Sequence, residues 1–250
     1  TIADGLRTAL SDKGQLLTAK GAHLYPHAKL NDKQEGAKLI QEAVRVAKKS
    51  EVIVLSLGEP EEFSGEAASR SQIRIPENQR ALLDALLPLK KPVVILLSNG
   101  RPLVLDYENQ FADAILETWY LGVEAGNAIA DVLFGDHNPS GKLTISFPHN
   151  EGQIPVFYAQ RNTGRPADPN SKWTSRYLDV PNTPLFPFGW GLSYTQFKIS
   201  APELSETSVK SGGTLTVRVK VENIGPQDGT ETVQVYIRKP VSQVAQPLMR

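Results

Sequence analysis

The fold is decided by EVIVLSLG (Glu51–Gly58), a nearly continuous apolar run that ends in a glycine. A short run rich in Val, Ile and Leu is typical of a strand buried on both faces of a parallel sheet. Two further segments have the same character, PVVILL (Pro92–Leu97) and a stretch at about Ala114–Thr118. We therefore predict three buried, parallel strands.

Segments with helical spacing alternate with these strands. The first covers Ile2–Leu10, and the second is capped by Asn31 or Asp32 and turns Ala37, Ile40, Val44 and Ala47 inward. The third opens at Pro76 and ends at Pro88. The fourth, Gly126–Phe134, turns Ile129, Val132 and Leu133 inward and ends at a left-handed Gly135. A short additional strand is predicted at Gln15–Gly21. Strands alternating with helices predict an α/β fold, with a mostly parallel sheet and helices on both faces.

The connection from Gly58 to Pro76 is much longer than the fold requires, because strand-to-helix connections usually take about 2–6 residues. It contains FSGE (Phe63–Glu66). Ligands of open α/β sheets bind beyond the carboxyl ends of the strands, and this loop follows such an end. A carboxyl group partly desolvated there stays protonated near neutral pH, as a general acid requires. Glu66 is therefore a candidate general acid.

A plainer interpretation is that Glu66 is one of several solvated acids in a charged loop. Glu59, Glu61 and Glu62 lie in the same segment. Of these, we expect Glu59 to be held by the fold, because it is nearest the strand end, and the other two to face solvent. The local pattern alone favours the plainer interpretation.

Composition excludes several classes of partner. The 250 residues carry 27 basic and 27 acidic side chains, so the net charge is zero and indicates neither nucleic acid nor an anionic membrane. The chain has no cysteine, its four histidines lack metal-ligand spacing, and no GxGxxG follows the first strand. We expect no metal and no cofactor. No apolar run reaches membrane-span length, and any export signal lies upstream of Thr1.

The pattern changes after Pro148. Residues 149–195 are rich in Pro, Asn, Asp and Ser and predict an extended connector packed on the α/β domain of residues 1–148. Beyond it, apolar residues alternate over Leu215–Val221 and Val233–Ile237, with Gly225–Gly229 as the turn between two paired strands. Residues 196–250 are about half the length of an immunoglobulin-like sandwich, so we expect an incomplete domain.

Five stretches together resemble glycoside hydrolase family 3, the β-glucosidase family, in the part that follows its catalytic barrel. They are FSGE (Phe63–Glu66), NGRP (Asn99–Pro102), GNAIADVLFGD (Gly126–Asp136), NPSGKL (Asn138–Leu143) and PFGWGLSYT (Pro187–Thr195). Many members have Gly-Tyr after the glutamate, whereas AASR (Ala67–Arg70) follows here and is similar to the periplasmic bacterial subgroup. Their order and spacing make the resemblance specific, and it covers nearly the whole chain.

The resemblance implies a fold, a reaction and a partner. The fold is a mostly parallel α/β sandwich domain, whose first strand lies before Thr1, followed by the start of a fibronectin type III-like β-sandwich. The reaction is retaining, exo-acting hydrolysis of terminal β-D-glucosyl residues, with Glu66 as the acid/base. The nucleophilic aspartate belongs to an N-terminal (β/α)-barrel that this chain does not contain, so we expect the fragment alone to be inactive. A periplasmic or secreted location follows from the subgroup.

Other roles stay open at this stage. Phe63 and Trp119 are candidates for the leaving-group subsite, since aromatic faces stack on sugars, but core or interdomain packing is at least as compatible with them. Arg70 pairs either with a carboxylate near the site or with a loop neighbour. The chain could also be a noncatalytic carbohydrate-binding or scaffold module, and a homodimer is left open.

Overall fold

The centre of the molecule is a three-stranded parallel sheet. The computed structural model describes residues 1–25, 33–161, 163–237 and 248–249. The strands are β1 (Ile53–Gly58), β2 (Val93–Ser98) and β3 (Ala114–Glu117), in the order β1-β2-β3. Ile53 lies opposite Val93, and Val94 opposite Ala114. The predicted parallel sheet and α/β class are confirmed.

Helices connect and precede the strands. They are α1 (Ile2–Leu10), α2 (Lys33–Ala47), α3 (Glu77–Leu86), α4 (Asp106–Phe111) and α5 (Ala125–Phe134). Pro76 immediately precedes α3, and Gly135 ends α5 with a φ of 84°, the predicted left-handed conformation. α4 was not predicted from the sequence, because it is too short to show a helical repeat. The residues predicted to cap α2 lie outside the described residues.

The core lies between the sheet and two of these helices. Leu83 of α3 and Ile95 of β2 are fully buried, and Ala47 of α2 packs in the same cluster. Leu96 alternates to the opposite face of β2 and is also fully buried, whereas Ser56 on β1 is exposed. β2 is therefore largely buried on both faces, as predicted.

The prediction of burial on both faces is wrong for β1, where Val54 is 39% exposed, and for β3, which is half-buried with Ala114 exposed. Both are edge strands of the described three-stranded sheet.

The predicted strand at Gln15–Gly21 is wrong. These residues have no regular structure, and Leu16 and Leu17 are both half-buried rather than alternating between two faces. A strand requires a neighbouring backbone to pair with, and the described sheet consists of β1, β2 and β3 only.

The predicted pairing across the Gly225–Gly229 turn is also wrong. The antiparallel pairs are β4 (Phe197–Ile199) with β7 (Val221–Asn223), β5 (Glu203–Leu204) with β6 (Val217–Arg218), and β8 (Val235–Tyr236) with β9 (Leu248–Met249). Asn223 explains this, since its side-chain oxygen accepts hydrogen bonds from the Thr195 hydroxyl at 2.7 Å and from the Gly225 N–H at 3.0 Å. The turn is thus fixed to Thr195, two residues before β4.

The segment between α5 and β4 is extended and joins these parts. Phe147 forms an isolated antiparallel bridge with Phe186, and the Tyr194 hydroxyl donates to the Val132 carbonyl at 2.7 Å. Lys142 pairs with Glu231 at 2.9 Å. None of the helices in the described part of the chain has the length and apolar character needed to cross a membrane.

Candidate active site

Three loops meet at the carboxyl edge of the sheet, one after each strand. Gly100 follows β2, and a Cβ on it would lie 2.0 Å from the Ser64 hydroxyl of the first loop and 3.0 Å from the Tyr120 ring of the third. The Tyr120 hydroxyl in turn lies 3.3 Å from the Glu59 carbonyl and 3.4 Å from that of Pro60. Only glycine leaves room for this approach, so the three loops form one continuous surface.

Glu66 lies exposed in the loop after β1. Both neighbours have positive φ angles, 112° at Gly65 and 57° at Ala67. Because Glu66 is exposed, the described residues of this chain do not desolvate its carboxyl group, contrary to the expectation of partial desolvation. Glu61 and Glu62 are exposed as well, as predicted, so exposure by itself does not distinguish Glu66.

Glu59 is the buried acid of this region, as predicted from its position beside the strand end. Its side chain has no exposed surface and pairs with two arginines. Arg70 contacts one carboxylate oxygen, and the Arg101 Nε lies 3.3 Å from the other. The partner of Arg70, which the sequence left undecided, is therefore Glu59.

Arg101 connects this carboxylate to the loop that carries Glu66. Its Nη2 donates to the Phe63 carbonyl and, at 2.7 Å, to the Ala68 carbonyl. Arg101 belongs to the NGRP motif, for which the sequence alone predicted no role. Its position soon after β2, at the same edge as the loop, is the signal that could have revealed one.

The two aromatic candidates are both half-buried. The Arg70 guanidinium covers one face of the Phe63 ring, 4.7 Å from its centroid. The Trp119 ring packs 5.9 Å from that of Phe147 and also borders a surface groove, whose other lining residues are Gly100, Arg101, Pro102, Thr144 and Ile145. Sugar binding by either residue stays a prediction.

Glu117 is a further acidic residue at this edge, and the sequence analysis missed it. One carboxylate oxygen accepts the Trp119 N–H at 2.9 Å, and the other is buried. Burial raises the pKa of Glu117 to about 7, although the backbone N–H of Trp119 and the side chain of Asn99 oppose the shift. A glutamate at the end of a predicted strand was the available signal.

Metal chemistry has no candidate ligand set here. Within residues 1–25, 33–161, 163–237 and 248–249, no three His, Cys, Asp or Glu side chains are grouped closely enough to hold an ion. His149 instead lies 2.6 Å from the Asp106 carboxylate.

Comparison with known proteins agrees with this architecture. Residues 1–194 match the model of the glycosyl hydrolase family 3 C-terminal domain. The chain is 46% identical to the periplasmic beta-glucosidase of Salmonella typhimurium, over 99% of the chain and 34% of that protein. It is 40% identical to a beta-xylosidase of Formosa agariphila, over 99% of the chain and 32% of that protein. A crystal structure of beta-glucosidase from Listeria innocua superposes with a TM-score of 0.86 at 37% identity, covering 100% of this chain and 34% of that one.

The fold and these matches define a C-terminal α/β domain of a glycoside hydrolase. The chain belongs to glycosyl hydrolase family 3, as its motifs predicted. It spans about a third of the length of the curated relatives that it matches.

Proposed function

We propose that this chain is part of a retaining, exo-acting β-glucosidase that removes terminal β-D-glucosyl residues, and that Glu66 is its general acid/base. The observation that carries the proposal is the position of Glu66 in the Ser-Gly-Glu stretch of a long, anchored loop at the carboxyl edge of the sheet. The choice of a β-glucoside as substrate is supported by the beta-glucosidases of Salmonella typhimurium and Listeria innocua, to which this chain is similar over 99% and 100% of its length.

The mechanism divides two carboxyl groups between two domains. Retaining glycosidases place them about 5–5.5 Å apart, one attacking the anomeric carbon and the other protonating the leaving oxygen. Glu66 takes the second role, and in the next step it accepts a proton from the water that attacks the glycosyl intermediate. The aspartate nucleophile belongs to an N-terminal (β/α)-barrel, so the fragment by itself is inactive.

A facing barrel is supported by an exposed apolar surface at the same edge of the sheet as the Glu66 loop. Leu121 and Val123, in the loop after β3, are 51% and 101% exposed. Large apolar side chains grouped at an edge favour contact with another surface. Residues 1–148 are then the α/β domain, residues 149–195 the connector, and residues 196–250 part of a fibronectin type III-like domain. A periplasmic or secreted location follows from the named Salmonella relative.

The proposal is tested by Glu66→Gln in the barrel-containing enzyme. Turnover of cellobiose, whose leaving group needs protonation, should fall by about 10²–10⁴-fold. Turnover of 2,4-dinitrophenyl β-glucoside should fall far less in the glycosylation step, because this leaving group departs without a proton. Equal losses on both substrates would remove Glu66 from the acid role.

Azide supplies a second test, with a matched control. In Glu66→Ala on the activated substrate, the small anion can enter the vacated space and attack the glycosyl intermediate without a base. Glu61→Ala and Glu62→Ala, at exposed sites in the same loop, should keep near-normal rates without azide. Rescue at either of these positions, and not at Glu66, would place the catalytic carboxyl elsewhere. Sugar affinity of the chain without any barrel, combined with unimpaired Glu66 variants, would instead favour a noncatalytic binding module.

A further inference from the structure

The buried carboxylate of Glu59 is unusual in having two cationic partners. Its side chain is fully buried, while Arg70 and Arg101 keep 22% and 21% of their side-chain surface exposed. A buried carboxylate is costly unless it is paired, and one arginine would be enough to neutralise it. The second arginine is therefore not needed for charge neutralisation and is available for a further structural role.

The other contacts of Arg101 indicate this structural role. Its Nε lies 3.3 Å from the Glu59 carboxylate, an ion pair without hydrogen-bond geometry, and its Nη2 donates to two loop carbonyls. The two carbonyls belong to Phe63 and Ala68, which flank Glu66 in the sequence. One planar side chain thus ties both ends of the segment that carries Glu66 to a single buried anchor.

The segment itself needs such an anchor. Ala67 has a φ of 57°, a left-handed conformation that a residue with a Cβ adopts only when its surroundings impose it. Within the segment, the Ala68 N–H donates to the Gly65 carbonyl over a long distance of 3.4 Å. The local backbone hydrogen bond is long, so the conformation depends on side chains from outside the segment.

Arg70 and the loop after β2 complete the support. Arg70 lies over the Phe63 ring while it pairs with Glu59. Ser64 packs against Gly100, where any larger residue would collide with its hydroxyl. Contacts therefore fix the loop on the side facing the sheet and leave Glu66 exposed.

We propose that Glu59, acting through Arg101 and Arg70, is a positioning residue that sets the conformation in which the loop presents Glu66. This inference rests on the proposed role of Glu66 as acid/base. The Glu59 side chain has no exposed surface, so it is not available for contact with a substrate. Its effect reaches the reaction only through the placement of the Glu66 carboxyl group.

The first test is hydrogen exchange on the 250-residue chain, comparing the unmodified protein with Arg101→Met. Methionine keeps much of the side-chain volume and leaves Glu59 paired with Arg70. Amides between Phe63 and Arg70 should exchange faster in the variant, while those of β1 and β2 are unchanged. Unchanged exchange in the loop would overturn the proposal, because Arg101 would then not hold the segment.

The second test is kinetic and uses the barrel-containing enzyme. Displacing a reacting group by about 1 Å can cost on the order of 10²-fold. Arg101→Met should lower kcat/KM on cellobiose to about that extent, with a much smaller effect on kcat/KM for 2,4-dinitrophenyl β-glucoside, because kcat/KM reports the glycosylation step and this leaving group departs without a proton. Added to Glu66→Gln it should cause almost no further loss on cellobiose, because both changes remove the same proton transfer. Additive losses, or equal losses on both substrates, would contradict the positioning role.

Arg80→Met is the matched control. Arg80 also neighbours a buried carboxylate, that of Glu108 at 3.9 Å, and also lies over an aromatic ring, that of Tyr107. Its removal should leave the ratio of the two substrate rates unchanged. Hydrogen exchange and kinetics together distinguish the positioning role of Glu59 from the acid/base role of Glu66. Faster loop exchange, with no substrate discrimination in Glu66→Gln, would reject the acid role of Glu66 and with it this positioning role.

Discussion

Replacing Glu117 by glutamine should make the chain more stable at neutral pH and remove a specific pH dependence. Glutamine keeps the oxygen that accepts the Trp119 N–H but cannot ionise. In the unmodified chain, burial raises the pKa of Glu117 from 4.5 to about 7. Folding therefore favours the protonated carboxyl, and ionisation at higher pH opposes folding.

The sign and size follow from linkage. Between about pH 4.5 and pH 7 the unfolded chain releases the Glu117 proton before the folded chain does, so stability falls as pH rises through this range. At roughly 1.4 kcal/mol per pH unit, the loss reaches about 3 kcal/mol above pH 7. The carboxyl is only partly buried, so this figure is an upper limit.

The assay is urea unfolding followed by tryptophan fluorescence at pH 5 and pH 8, for the unmodified chain, Glu117→Gln and the exposed control Glu51→Gln. Glu117→Gln should gain up to about 3 kcal/mol relative to the unmodified chain between the two pH values. The control should parallel the unmodified chain. A gain that is independent of pH, or a loss that grows with pH, would refute the assignment of a raised pKa to Glu117.

Two further predictions concern packing between elements. Gly5→Ala should destabilise the chain by about 1–3 kcal/mol in urea unfolding, because the added Cβ would lie 2.1 Å from the Gly126 carbonyl oxygen of α5. An unchanged urea midpoint would show that α1 and α5 can separate without cost. Lys142→Met should speed limited proteolysis after residue 195 and cost about 1–3 kcal/mol, because it breaks a partly buried ion pair with Glu231. Proteolysis at the original rate would show that this pair does not hold the two parts together.

Much of the site was predictable because the topology is local. Three apolar runs separated by helices require parallel strands, and the carboxyl ends of such strands share one edge. Glu66, Trp119 and Arg101 all follow those ends, so the sequence could place them at one edge without knowing any distance. Glu59 could likewise be predicted as buried, because it immediately follows a buried strand.

The errors have equally physical causes. Alternation over Leu215–Val221 and Val233–Ile237 identified extended segments, and strands are indeed found within both. It could not identify their partners, because pairing depends on contacts between distant residues, such as that of Thr195 with Asn223. Gln15–Gly21 has strand-like composition and lacks a ladder for the same reason.

The sequence by itself therefore determined the α/β class, the family and the loop that carries Glu66, since these depend on periodicity and on motifs of adjacent residues. The tertiary structure alone decided which side chains support that loop. Arg101 meets Glu59 and the carbonyls flanking Glu66 across gaps of more than thirty residues. It also set the environment of Glu117, because burial and hydrogen bonding are properties of the packed surroundings and no local pattern encodes them.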